Sequence, residues 1–159
     1  VSLVLVAIPI GKVILRLEPW FHPQYLVPFG GMVIGNAMTA GILAQTNLKR
    51  MLKSEQAIVE TRLSLGAGYL ASGYSQLVEA IKTGLVPTIN SLMIVGLVHI
   101  PGTFGGIVLA GVSPVEAAKY QMVVMYMLAM TAAITTFIIG FATLRSSFTS
   151  RDQLKVQRI

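Results

Sequence analysis

Residues 26–45 contain no charged side chain, and a helix of that length matches the roughly 20 apolar residues needed to cross the hydrocarbon core of a bilayer. Three further, mainly apolar runs cover residues 1–15, 85–99 and 114–144. Only 11% of the 159 residues are charged, against about 25% in a typical soluble domain. We therefore predict an all-α, polytopic helical membrane protein with about four membrane segments.

The first apolar run is shorter than the others. As a helix its residues reach about 22 Å, at roughly 1.5 Å per residue, so we expect it to be the end of a helix that starts before Val1. On this prediction residues 1–159 form a single transmembrane domain whose N-terminal helices are missing.

Residues 47–83 mix charged and apolar side chains in a pattern typical of helices outside the bilayer. Over residues 47–65 the apolar residues recur with a period of about 3.6, between charged residues such as Lys49 and Lys53. The sequence L-G-A-G at residues 65–68 predicts a helix end, and a second helix begins near Tyr69. We predict that residues 47–83 form a cytoplasmic helix-turn-helix.

Prolines and glycines define the remaining boundaries. Pro87 and Pro101 bracket the third membrane segment, and the glycine-rich residues 101–112 are too few to span, which favours a re-entrant or packed extracytoplasmic segment. The sequence S-P-V-E at residues 113–116 predicts the start of the last helix, because Ser113 can cap it and Pro114 suits its first turn.

The distribution of basic residues predicts the orientation of the chain. Residues 49–82 and the tail at residues 145–159 hold nine of the 12 Lys and Arg residues, and cytoplasmic loops are enriched in these two residue types. We expect a multi-pass protein of the cell's inner membrane with both regions in the cytoplasm. The net charge of +6 therefore indicates topology, and we predict a lipid bilayer and no nucleic acid as partner.

The sequence contains no recognisable catalytic or nucleotide-binding motif. It has no cysteine, no H-E-x-x-H, no G-x-S-x-G and no G-x-x-x-x-G-K-[ST] phosphate loop. We therefore expect the chain not to be an enzyme, to bind no cofactor of its own and not to hydrolyse ATP.

Small and polar residues within the apolar segments are candidates for packing and for a substrate pathway. Glycines at four-residue spacing allow close approach of membrane helices, which we predict for Gly31, Gly35, Gly102 and Gly106. Amides and thioethers within the membrane are the candidate pathway residues, namely Met32, Asn36, Met38, Asn90 and Gln121. The alternatives are hydrogen bonds between helices for the amides and the filling of packing gaps for the methionines.

The stretch E-x-x-L-x-L-G-A at residues 60–67 resembles the EAA-type coupling loop of ATP-binding-cassette permeases, although Thr61 and Arg62 replace two alanines of that motif. A closer resemblance rests on an ordered set of segments. They are P-F-G-G-M-V-I-G-N-A-M at 28–38, L-S-L-G-A at 63–67, V-P-T at 86–88, G-L-V-H-I-P-G at 96–102, A-G-V-S-P at 110–114 and K-Y-Q at 119–121. This set is similar to the FetB family of iron-export permeases, which includes plant aluminium-tolerance membrane subunits.

The resemblance implies a permease subunit that acts as a homodimer with a separate cytosolic ATPase, which binds the ATP, and that exports iron or another metal or small solute. It also implies that the ATPase docks on the loop around residues 60–68, through Glu60, Leu63, Leu65, Gly66, Ala67 and Gly68. The alternative is an ATP-independent channel or metal-ion facilitator in which residues 101–112 form a filter-like re-entrant loop.

Overall fold

The computed structural model describes residues 23–95, 102–149 and 153–154, and nearly all of these residues are helical. The predicted first membrane segment, at residues 1–15, lies outside the described residues. The described part of the chain forms helices and no named strand, which confirms the all-α prediction. The helices are α1 (Pro23–Ser54), α2 (Gln56–Ser64), α3 (Tyr69–Ile94), α4 (Gly102–Leu109) and α5 (Pro114–Ser147).

Two of the described helices, α3 and α5, are long and apolar enough to cross a membrane. They contain most of the predicted third segment and all of the predicted fourth. Helix α1 contains the predicted second segment, residues 26–45, but is not one of these two. The structure therefore supports a helical membrane protein with two candidate spans in its described part rather than the four segments predicted for the whole chain.

Helix α1 continues well past the predicted end of the second membrane segment. Ala40, Ala44, Leu48 and Leu52 lie four residues apart and are at most 2% exposed, so a single buried stripe carries the helix on to Ser54. The charged residues of this region lie off that stripe and do not interrupt it. The structure therefore does not show the predicted separate helix-turn-helix at residues 47–83, because its first eight residues belong to α1.

Helix α3 begins at Tyr69, as predicted, but it also continues beyond its predicted end. It includes Pro87, which we had expected to bracket the next helix. Proline removes one backbone donor, and membrane helices tolerate it where neighbouring hydroxyl groups and helices supply other hydrogen bonds. Near Pro87 the hydroxyl of Ser91 donates to the Pro87 carbonyl at 2.9 Å, and the hydroxyl of Thr88 donates to Asn36 at 3.2 Å.

The chain divides into two compact units. One consists of Val1–Ala37 and Pro87–Ala132, and among its described residues Val33, Ala117 and Met127 are buried. The other consists of Met38–Val86 and Ala133–Ile159. Its apolar core contains Leu48, Leu52, Val59, Leu77, Ala80, Ile81, Leu144 and Phe148.

Glycine allows close packing in the second unit, but at other positions than those predicted. A Cβ atom on Gly73 would lie 2.6 Å from Leu144 Cδ1, and one on Gly84 would lie 2.9 Å from the carbonyl oxygen of Ala40. A Cβ atom on Gly140 would lie 3.0 Å from Leu77 Cδ1. These three contacts bring α3 close to α5 and to α1.

The packing role predicted for Gly31, Gly35 and Gly106 stays a prediction, because the described part of the chain places no neighbour against them. A Cβ atom on any of the three would meet no described atom within 4 Å. Spacing of four residues places small residues on one face of a helix but does not determine which neighbour that face meets. The side chain position of Gly102 lies outside the described residues.

Helix α5 begins where the sequence predicts. Ser113 Oγ accepts a hydrogen bond from the backbone N–H of Glu116 at 3.4 Å, as expected for a capping residue. Several hydroxyl groups of α5 donate to carbonyl oxygens of the same helix: Thr131 to Met127 at 2.7 Å, Thr136 to Ala133 at 2.9 Å and Ser147 to Thr143 at 2.8 Å. These three hydroxyl groups are thus satisfied within the helix, whereas the buried Thr135 hydroxyl has no hydrogen-bond partner among the described residues.

The segment before α5 contains α4, a helix of eight residues, which at about 1.5 Å per residue is too short to cross a bilayer. Its last residue, Leu109, is 89% exposed.

Candidate functional site

The sequence L-G-A-G at residues 65–68, here called the Leu65 turn, joins α2 to α3 by a well-defined backbone structure. Gly66 has a φ of 87°, in the left-handed region that glycine adopts without steric cost. Its N–H donates to the Leu63 carbonyl at 2.9 Å, and the N–H of Ala67 donates to the Arg62 carbonyl at 3.1 Å. These two bonds form a Schellman motif, so the predicted glycine helix end is confirmed.

Side chains on both sides of the Leu65 turn hold it in place. The guanidinium of Arg62 donates through Nη1 to the Ser72 carbonyl and to Ser75 Oγ, each at 3.2 Å. The backbone N–H of Ser72 donates to the Gly68 carbonyl at 3.0 Å. The last turn of α2 is therefore bonded to the first two turns of α3 across the connecting residues.

A second set of hydrogen bonds joins the region after α1 to α3. The amide of Gln76, which is only 1% exposed, donates to Glu55 Oε2 at 2.6 Å and accepts from Ser75 Oγ at 3.0 Å. Val59 of α2 is fully buried in the apolar core, and Leu63 packs against that core. Helix α2 is thus fixed along one face by apolar contacts and at both ends by polar ones.

The opposite face of this region exposes apolar side chains. Leu65 is 83% exposed, Tyr74 59% and Ile58 50%. Glu60 is also exposed, and its carboxylate accepts a hydrogen bond from Gln56 at 2.7 Å. A fixed turn with exposed apolar side chains is suited to binding another protein, because little conformational entropy is lost when it docks.

The six predicted coupling residues fall at the end of α2 and in the Leu65 turn, but they do not share one surface. Glu60, Leu65, Gly66 and Gly68 are exposed, whereas Leu63 lies against the core and Ala67 is half-buried.

Sequence reasoning did not predict the parts played by Arg62 and Gln76. A glutamine in an amphipathic helix is normally expected at the protein surface. Gln76 is buried because its amide bonds to the carboxylate of Glu55, 21 residues away.

The predicted pathway residues differ in burial. Met38 is 58% exposed and Asn90 is exposed, whereas Gln121 is buried and Met32 and Asn36 are half-buried. Among the described residues, no group of three or more His, Cys, Asp or Glu side chains could hold a metal ion.

In the first unit Asn36 connects three helices. Its Nδ2 donates to the Leu128 carbonyl of α5 at 2.9 Å, and its Oδ1 accepts from the Thr88 hydroxyl of α3 at 3.2 Å. Both ends of the amide are therefore engaged between helices, which favours a packing role for this residue.

These features define a class, that of helical membrane proteins with an exposed turn of fixed backbone between two helices. A protein-family model described as "Uncharacterised protein family (UPF0014)" matches residues 1–148, and the chain belongs to this family.

Three curated relatives are named as permease, membrane or sensitivity proteins, and none of these names describes an enzyme. "Probable iron export permease protein FetB" of Escherichia coli (strain K12) is 40% identical over 87% of this chain and 54% of its own length. "UPF0014 membrane protein slr1647" of Synechocystis sp. is 36% identical over 91% of this chain and 56% of its own. "Protein ALUMINUM SENSITIVE 3" of Arabidopsis thaliana is 35% identical over 90% of this chain and 52% of its own.

The chain thus spans about half the length of these curated relatives. The family resemblance found in the sequence is confirmed, and membrane location with it. No solved structure matches the chain.

Proposed function

We propose that this chain is part of the permease subunit of an ATP-binding-cassette exporter and that a separate cytosolic ATPase docks on the Leu65 turn. The observation that carries the proposal is the 83% exposure of Leu65 on a turn whose backbone is fixed on both sides. A large apolar side chain held out in water contributes most when a partner covers it, and buried anchors of this kind dominate binding at interfaces.

The contacts around the turn supply a route by which docking could move the membrane helices. Arg62 bonds α2 to α3, and the Gln76 amide bonds α3 to Glu55 beside the end of α1. A ligand shifts a conformational equilibrium only through contacts that differ between the two states. ATP held by a partner subunit must therefore act through the surface on which that partner docks, and this turn is the surface we propose.

Substrate and direction are proposed from the relatives. FetB is named as a probable iron export permease, so we propose export of iron or of another metal or small solute. We further propose a homodimer that presents two Leu65 turns to two ATPase subunits, with ATP bound only by those subunits. In the inner membrane, residues 47–83, which include the turn, and residues 145–159 would face the cytoplasm, in agreement with the basic residues of both regions.

The proposal is tested by purifying the full-length protein from its native membranes in mild detergent. We expect a second subunit with ATP hydrolysis in stoichiometric amount. Replacing Leu65→Asp should lower ATPase recovery about tenfold, which corresponds to the loss of roughly 1.4 kcal/mol of binding free energy. Because the Leu65 side chain is exposed, the substitution should leave the amount of folded permease unchanged.

Leu109→Asp is the matched control, since Leu109 is 89% exposed but lies at the end of α4. This variant should keep the ATPase. A membrane protein that purifies alone and transports without ATP would instead establish the channel or facilitator. Equal recovery of the ATPase with both variants would show that the docking surface lies elsewhere.

A further inference from the structure

The ring of Tyr69, the first residue of α3, is held by Arg145 in the last turn of α5 and by Phe148, which follows that helix. The guanidinium carbon of Arg145 lies over the ring, 4.8 Å from its centroid, within the range of a cation–π contact. The ring of Phe148 packs against the same tyrosine with a centroid distance of 6.1 Å and a tilt of 51°. Phe148 is only 2% exposed, so Tyr69 meets both a fixed apolar ring and a cation in water.

Tyr69 follows the Leu65 turn directly in the chain. Only Gly68 of that turn lies between Ala67 and Tyr69, and Ser72, one turn further along α3, donates to the Gly68 carbonyl. A displacement of the turn must therefore displace the Tyr69 ring. That ring is the first side chain of α3 to meet α5.

The packing beyond Tyr69 leaves little free space between the two helices. Leu144 occupies the space over Gly73, and Leu77 occupies the space over Gly140, with no room for a further methyl group at Gly73. Leu144 and Leu77 are at most 1% exposed. Closely packed interiors transmit displacement, so a movement at Tyr69 is passed to α5.

We propose that Tyr69 is a positioning residue of the transporter, and that its contact with Arg145 and Phe148 transmits ATPase docking from the Leu65 turn to α5. This inference rests on the proposed function. It differs from it in predicting that the contact is needed for coupling and not for docking, because neither Tyr69 nor Arg145 belongs to the turn itself.

The test separates docking from coupling in the full complex reconstituted in lipid vesicles. Arg145→Met retains an unbranched stem about as long as the aliphatic part of arginine and removes the charged guanidinium, while Arg145→Lys retains a positive charge. Arg145→Met should bind the ATPase with unchanged stoichiometry and affinity but lower the permease-dependent rate of ATP hydrolysis about fivefold, the factor that corresponds to roughly 1 kcal/mol. Arg145→Lys should restore most of that rate.

Lys119→Met is the control for loss of a positive charge on α5, since Lys119 is exposed near the start of that helix. It should leave both docking and coupling unchanged. If it lowers coupling as much as Arg145→Met does, the effect is one of net charge and the proposed contact is overturned.

A spectroscopic test uses the single tryptophan of this sequence, Trp20, which is first replaced by phenylalanine. In that background Tyr69→Trp places an indole under Arg145, and indole is the best ring for a cation. We expect ATP binding to the complex to change the indole emission with Arg145 present and to change it less than half as much in the Arg145→Met variant. An equal change of indole emission with Arg145 and with Arg145→Met would overturn the inference.

The outcomes also separate this inference from the proposed function. If the wild-type protein binds no ATPase, the proposed function fails. If the wild type binds and couples, but Arg145→Met and Tyr69→Leu couple equally well, the proposed function stands and the role of Tyr69 is wrong.

Discussion

At the scale of single residues, Gly66 is the position where backbone conformation limits substitution most. Its φ of 87° costs a residue with a Cβ atom about 1–2 kcal/mol, and a β-branched residue more. We predict that Gly66→Val disrupts the Leu65 turn and abolishes co-purification of the ATPase while the protein stays in the membrane. Gly66→Asn should keep most of the binding, because asparagine tolerates this conformation.

Gly105→Ala is the matched control, since Gly105 lies in α4 outside the Leu65 turn, a Cβ atom there meets no described atom within 4 Å, and its φ is ordinary. Normal ATPase recovery and normal transport with Gly66→Val would contradict the docking assignment.

A second prediction at this scale concerns whether Asn36 serves helix packing or transport. Removing the amide in Asn36→Ala should lower stability in detergent by about 0.6–1.7 kcal/mol, the range for hydrogen bonds between membrane helices. A double-mutant cycle with Thr88→Val measures the part that belongs to their 3.2 Å bond. Asn90→Ala, at an exposed position, is the control and should be neutral.

The readout for Asn36→Ala is transport per folded molecule. We expect transport and folded yield to fall together, as a packing role requires. A larger loss of transport than of yield would restore Asn36 to the substrate pathway.

Hydrogen bonds between a residue and its near neighbours in the chain could be predicted from sequence. Hydrogen-bond partners that are distant in the chain could not. Ser113 and Gly66 act on backbone groups within three residues, so their types and spacing were sufficient. The partners of Asn36 lie 52 and 92 residues away, and no local pattern indicates which carbonyl or hydroxyl an amide will meet.

At the scale of helices, the contacts of glycine predict opposite effects for two similar substitutions. Gly84→Ala places a Cβ atom 2.6 Å from Thr136 Cγ2 and 2.9 Å from the Ala40 carbonyl oxygen, so it should destabilise the protein by about 1–3 kcal/mol. Gly31→Ala meets open space within an exposed stretch of α1 and should stabilise the helix by roughly 0.5–1 kcal/mol.

Thermal unfolding of the two variants in one detergent measures this difference. Destabilisation by Gly31→Ala would show that this face of α1 packs against another chain or another segment, as the spacing of its glycines first suggested.

The existence of the helices was predictable, and so were the boundaries at Gly66 and Ser113, but the ends of α1 and α3 were not. The apolar stripe from Ala40 to Leu52 carries α1 past a sequence that changes sharply in charge, because burial on one face stabilises a helix more than surface charge interrupts it. Pro87 predicts a helix end because proline lacks a backbone donor and normally breaks or kinks a helix at an interior position. The chain nevertheless stays helical on both sides of Pro87, and the Thr88 hydroxyl bonds α3 to Asn36 of α1 beside it.

At the scale of the whole molecule, topology provides the last prediction. Residues 1–159 contain no cysteine, so a cysteine introduced at Leu65, Ser146 or Leu109 is the only thiol among them. We expect Leu65→Cys and Ser146→Cys to react with a membrane-impermeant thiol reagent only from the cytoplasmic side, and Leu109→Cys only from the opposite side. Labelling in oriented membrane vesicles measures this directly.

Labelling of Leu65→Cys from outside would reverse the orientation and remove the docking turn from any cytosolic ATPase. Labelling of all three cysteine variants from the same side of the membrane would contradict the two crossings predicted between residues 83 and 145.

The class of the molecule followed from composition, because a chain with 11% charged residues cannot cover itself in water. The family followed from ordered motifs and is confirmed by the family match over residues 1–148. The partner could not be predicted from this chain by physical reasoning. An exposed turn such as the Leu65 turn has a shape and an apolar area, but these do not specify which protein binds it.

The hydroxyl groups along α5 have a mechanical consequence. Thr136 and Ser147 donate to carbonyl oxygens of their own helix, so these bonds travel with α5 wherever it moves. A shear of α5 along a neighbour would break none of them and would need no water to replace them. Resistance to such sliding then comes from side-chain shape and from the few polar contacts that α5 makes with its neighbours, such as the bond from Asn36 to the Leu128 carbonyl, in a medium where broken hydrogen bonds are costly.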